Sequence, residues 1–194
     1  MFSREGELQA SFYAGTQGLD PQINYSITNH LGIMINGSFI SHDDNTTNMI
    51  HKHSFGEIGF GYYQKIYNMW QFEIYGGAGY GKLLMQRHNN INTYTSADAN
   101  YMRYFIQPAI GLSTKYIDFS LGTRFVILDG TYMETSLSYN RSFLENAATI
   151  RIGGEQIKGV FQFGYILPIQ TDRFENHQAF MLSIGVQVYL FDSD

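Results

Sequence analysis

The chain has no cysteine, which excludes disulfides, thiolate metal sites and cysteine nucleophiles within these 194 residues. Proline is scarce at 3 residues, and charge is low at 15%, against roughly 25% in ordinary globular chains. The 12 lysines and arginines are scattered, and without a basic cluster nucleic acid is not an expected partner. No run approaches the roughly 18 apolar residues of a transmembrane helix. Met1-Phe2-Ser3-Arg4-Glu5-Gly6 lacks an apolar core and does not read as a signal peptide. The expectation is either a cytoplasmic protein or a mature chain whose export signal has been removed, and the net charge of -5 does not decide between them.

Aromatic residues and glycine are abundant: 15 Tyr, 15 Phe and 20 Gly. Aromatics suit the broad faces of pleated sheets, and glycines admit close backbone approach, so the composition favours extended structure. Nothing marks an internal boundary, and residues 1–194 read as one domain.

Period-two alternation predicts the strands. The clearest is Ala179–Phe191, where Phe180, Leu182, Ile184, Val186, Val188 and Leu190 oppose Ser183, Gly185, Gln187 and Tyr189. The others span Glu7–Gly15, Gln22–Ile27, Leu31–Ser41, Phe55–Lys65, Trp70–Leu84, Tyr101–Tyr116, Ile117–Ile127, Ala147–Gly153 and Ile157–Pro168. Pro108 has no N–H for a ladder and predicts a bulge or local distortion. The count is ten strands, with eight as the alternative.

After the first, the odd connections are polar stretches of roughly nine to fifteen residues: His42–His53, Arg87–Asn100, Leu128–Ser142 and Gln170–Gln178. The even connections are tight turns. An up-and-down meander puts the two kinds at opposite ends, as in outer-membrane barrels with short periplasmic turns and longer extracellular loops. The predicted fold is therefore an all-β, closed antiparallel up-and-down transmembrane β-barrel, its termini periplasmic and its long loops extracellular. The competing reading is a soluble β-sandwich with one wet face. Against it stand strands that reach the roughly 9 to 11 residues needed to cross a bilayer.

The minor face of the strands is small or polar and carries charges of both signs: Glu57, Glu73, Arg103, Asp118, Arg124, Arg151 and Lys158. In a barrel these form a lumen charge network, with Glu73 and Arg124 approaching directly or through Arg103, that plugs the interior or lines a narrow pore. Tyr67, Trp70, Tyr116 and Tyr189 fall near the tight-turn end, where an interfacial aromatic girdle is expected.

Two stretches, Tyr25-Ser26-Ile27-Thr28-Asn29-His30-Leu31-Gly32-Ile33-Met34-Ile35-Asn36-Gly37 and Phe105-Ile106-Gln107-Pro108-Ala109-Ile110-Gly111, resemble the small outer-membrane β-barrel proteins of Bacteroidota. The resemblance implies a scaffold in the outer membrane of a Gram-negative bacterium and brings no catalytic residues. Members often look like lipoproteins anchored through an N-terminal cysteine, which this sequence does not have.

The predicted loops hold His42, Asp43, Asp44, His51, His53, His88, Asp98 and His177. His51 and His53 supply two potential ligands, but a metal site needs three or four. Asp and His pairs at the rim invite comparison with ten-stranded outer-membrane proteases, yet no local motif matches. A Ser and His acyl-ester hydrolase needs a membrane-facing serine beside a mid-strand histidine, whereas His30 sits at a turn. No catalytic residue, cofactor or metal is therefore assigned. The expected function is a structural or accessory barrel. Its partners would be outer-membrane lipid or lipopolysaccharide and a larger outer-membrane complex, with Gly37, Gly56 and Gly76 as outward positions for close approach. The alternatives are a narrow pore for small solutes or ions and a loop-based hydrolase.

Overall fold

The computed structural model describes residues 2, 4–16, 18–44, 49–67, 69–88, 93–169 and 179–190; for residues 42–44, 49, 87–88 and 93–96 it describes the backbone alone. The strands are β1 (Leu8–Gly15), β2 (Gly18–Ser26), β3 (Leu31–Asp44), β4 (Met49–Tyr67) and β5 (Trp70–His88), followed by β6 (Thr93–Ser113), β7 (Ile117–Tyr132), β8 (Ser138–Gly153), β9 (Ile157–Pro168) and β10 (Phe180–Leu190). Each pairs antiparallel with its neighbours in sequence, and β1 closes on β10 with Leu8 opposite Leu190. Closure leaves no free sheet edge over the height that all ten strands share; above it, Ile40 to Asp44 of β3 pairs in the described ladders only with β4, and Ser138 to Ser142 of β8 only with β7.

The polarity is inside out. On β10, Ile184 is 57% exposed while Gln187, on the opposite face, is 1% exposed. The same division runs round the barrel. Phe12, Ile23, Ile35, Phe60, Ile106, Leu121, Ile152 and Phe161 point outward, and Glu57, Arg103, Asp118 and Lys158 are buried within.

The polar stretches between the predicted strands are the main correction. Most of His42–His53, Arg87–Asn100 and Leu128–Ser142 is strand, and β4, β5 and β6 reach 19, 19 and 21 residues. The ladders run through them, pairing His42 with His51 and Asp129 with Asn140. Backbone hydrogen bonds do not depend on side-chain polarity, so a polar segment flanked by paired neighbours continues the sheet after apolar alternation has stopped. At the other extreme, the six residues between the first two predicted strands, Thr16–Pro21, belong mostly to β2, which begins at Gly18.

The result is a barrel of two heights. The strands β9, β10, β1 and β2 have 12, 11, 8 and 9 residues, whereas β3 to β8 have 14 to 21. At about 3.3 Å per residue and a tilt near 40°, the first group rises roughly 20 to 30 Å and β6 roughly 50 Å. The outer apolar belt covers the lower part of the tall side, and on β4 it ends at Ile58, above which Ser54 and Lys52 face outward.

Pro108 produces no bulge. The β6–β7 register is the same on both sides of it, from Ile106↔Phe125 to Ala109↔Gly122, but pairing lapses at Gln107 and Pro108. The proline nitrogen has no proton for the strand it faces.

Candidate functional site

The candidate site is the lumen, where alternation on each strand delivers the buried charges. One cluster hangs entirely on the tall side. Glu57 of β4 accepts from Arg103 Nε at 3.0 Å, from Arg124 Nη1 at 2.5 Å and from Asn36 Nδ2 at 2.9 Å. Arg103 Nη2 donates to Glu145 at 2.7 Å, and Arg124 Nε donates to Gln107 at 2.6 Å. Two carboxylates and two guanidiniums are thus matched, with the Arg103 and Arg124 planes over Phe55 and Phe105 at 4.8 and 4.5 Å.

Space for this cluster comes from glycine. Gly79 sits between Glu57 and Arg103 in register, and a Cβ there would lie 2.6 Å from that of Glu57. One level up, Phe55, Gly81, Tyr101, Gly130 and Tyr139 form an alternating aromatic and glycine row across β4 to β8. A Cβ on Gly81 or Gly130 would fall within 2.2 or 2.4 Å of the Tyr101 or Tyr139 ring.

The second cluster closes the turn end and reaches the short side. Lys158 Nζ donates to Asp118 at 2.6 Å, and Asp118 also accepts from Ser113 Oγ at 2.9 Å and Tyr189 Oη at 3.3 Å. Arg151 donates to Gln187 at 2.7 Å, Gln187 to Gln9 at 2.8 Å and Gln9 to Glu7 at 2.5 Å. Tyr189 is therefore a correction: at 7% exposure it turns into the lumen because odd positions of β10 face inward, whatever their nearness to the turn end. Tyr67, Trp70 and Tyr116 are 72%, 44% and 60% exposed at that end.

Glu73 and Arg124 do not meet, since Arg124 bonds Glu57. Glu73 Oε1 instead accepts from the backbone N–H of Phe2 at 2.9 Å. The segment before β1 turns back into the barrel mouth, where the Phe2 ring is 5.2 Å from Tyr63 and joins an internal cluster with Met34, Tyr75 and Phe105. Sequence reasoning missed Phe2, whose local context is polar, and Glu145, which fell between the predicted loop Leu128–Ser142 and the predicted strand Ala147–Gly153. The alternation Glu145, Ala147, Thr149, Arg151 would have placed Glu145 on the lumen face.

Above the belt, His51 and His53 stack at 6.4 Å on the inner face of β4, and His53 bonds the Tyr101 hydroxyl. Burial, then His51 and Arg103, push the His53 pKa down to about 4. Asp98 lies on the outer face of β6, away from both, and His30 stacks on Tyr62 at the β2–β3 turn. For His42, Asp43, Asp44 and His88 the description stops at the backbone, and His177 lies outside the described residues. Among the described residues no three His, Cys, Asp or Glu side chains converge as a metal site would require.

No family model matches the chain, and no curated protein matches it. Solved structures similar to it include a KdgM porin in complex with disordered oligogalacturonate, at 10% identity and a TM-score of 0.39, over 94% of this chain and 98% of that one. OmpT (in-vitro folded), an outer membrane protein of Vibrio cholerae, matches at 8% identity and a TM-score of 0.23, over 95% of this chain and 96% of that one. At those values the likeness carries no functional argument.

Proposed function

We propose that the chain is an integral outer-membrane β-barrel whose lumen is closed by its own side chains and whose role is structural or accessory, docked beside other outer-membrane proteins. The observation that supports this is the inverted polarity: an outer belt of large apolar side chains around an ion-paired interior, an arrangement stable only when the outer solvent is hydrocarbon. The soluble sandwich reading would require the reverse. Tyr67, Trp70 and Tyr116 form the girdle at the turn end, which we place in the periplasm, with the tall side extracellular and in contact with lipopolysaccharide. Placement among the Bacteroidota barrels rests on the two quoted sequence stretches alone.

Closure favours an accessory role over a pore. Both charge clusters and the Phe2 plug occupy the lumen of a barrel near the narrow end of the size range, where side chains fill the interior. We infer no catalytic activity, cofactor or resident metal. Planar-bilayer recordings of the purified barrel are expected to show no conductance above background; stable unitary steps would refute the closed lumen. Mild extraction from native membranes should yield a stoichiometric companion, and a solitary monomer would refute docking.

A further inference from the structure

The lapse in the β6–β7 ladder has two faces that differ. Inside, the Arg124 to Gln107 bond stitches the two strands together. Outside, the pairs on either side, Ile106↔Phe125 and Ala109↔Gly122, set the unpaired Pro108 level with Thr123; Thr123 Oγ1 donates to Asn146 Oδ1 at 2.9 Å, and Asn146 Nδ2 reaches the Tyr165 carbonyl at 3.4 Å. This polar row lies within the apolar belt: Ile106 and Ile110 flank Pro108, Leu121 and Phe125 flank Thr123, and Leu144 and Ala148 flank Asn146.

An asparagine amide offers two donors and two acceptor lone pairs, so these bonds leave one of each over on an outward-facing, half-buried residue. Acyl chains satisfy neither, and polar groups facing hydrocarbon are costly. Because Asn146 carries the donor and the acceptor together, a twofold axis through it lets each amide satisfy its symmetry mate.

We propose that two copies of this chain meet back to back through the outer wall of β6, β7 and β8, with Asn146 against Asn146. This rests on the reading that the belt faces lipid, and it names the first partner of that wall as the chain itself.

The chain lacks cysteine, so one introduced thiol reports alone. In proteoliposomes, Asn146→Cys is expected to give a disulfide-linked dimer on oxidation, while Ile35→Cys, outward on β3 across the barrel, stays monomeric. The double variant Thr123→Val/Asn146→Leu should weaken the dimer roughly 3- to 20-fold. Asn146→Cys cross-linking no better than Ile35→Cys would overturn the proposal, as would full dimer in the double variant or adducts only to a different protein. Heat-modifiable mobility and alkali-resistant insertion are read on the same samples. If they persist without a dimer, only the proposal fails; if they are absent, the membrane reading fails with it.

Discussion

The short side, β9, β10, β1 and β2, and the tall side, β3 to β8, share one apolar outer belt and differ in nearly everything else. The short strands stop where the belt stops. The tall ones continue as paired polar strand, carry the Glu57, Arg103, Arg124 and Glu145 cluster, and interleave aromatics with glycines. The bilayer therefore sets the belt, not the strand length. Above it, the tall side is held by its own inner packing, to which the short side contributes little.

Four tests separate the two sides, beginning with the largest effect. Arg103→Leu leaves the buried Glu57 and the half-buried Glu145 each with one partner fewer, and should cost about 3 to 5 kcal/mol in urea unfolding from detergent. A loss as small as that of an exposed substitution would show that the cluster does not hold the tall side. Next, Ile184→Arg on the lipid face of the short side should cost roughly 2 to 4 kcal/mol near the bilayer middle. Asn140→Arg, on the outer face of β8 above the belt, should cost little; equal costs would move the boundary of the belt.

Third, Gly130→Ala drives a methyl into the Tyr139 ring and should cost about 1 to 3 kcal/mol, whereas Gly159→Ala, whose nearest neighbour would be 3.7 Å away, should lie within about 0.5. The smallest effect is with pH. His53 stays neutral in the folded barrel down to about pH 4, while the unfolded chain takes up a proton near 6.5. The unfolded state thus binds more protons between those values, and stability falls as pH drops through that window. Protection of the upper β4 and β6 amides, taken relative to the intrinsic exchange rate at each pH, should be lower at pH 5 than at pH 7.5. His53→Gln should flatten the difference, and the short side should not respond.

The belt was legible in the sequence because lipid demands large apolar residues at every second position, as on β10. What lies above it was not, because there neither face has to be apolar and only the neighbouring strands reveal that the segment is paired. Glu145 was lost at the edge of that segment, because the predicted strand began only at Ala147, although its parity with Thr149 and Arg151 was readable. Tyr189 shows the converse: its parity pointed to the lumen, and its position near the turn end was the weaker guide. Phe2 carried no periodic signal, since its burial depends on the barrel mouth that the rest of the chain builds.

Trp70 is the single tryptophan, and it lies on the outer face at the turn end. Its fluorescence in liposomes of lipids brominated at graded depths tests most directly whether this belt faces a bilayer. The barrel described here predicts strong quenching, greatest with bromines near the headgroups and weaker toward the bilayer centre. Emission indifferent to bromine at every depth would contradict it.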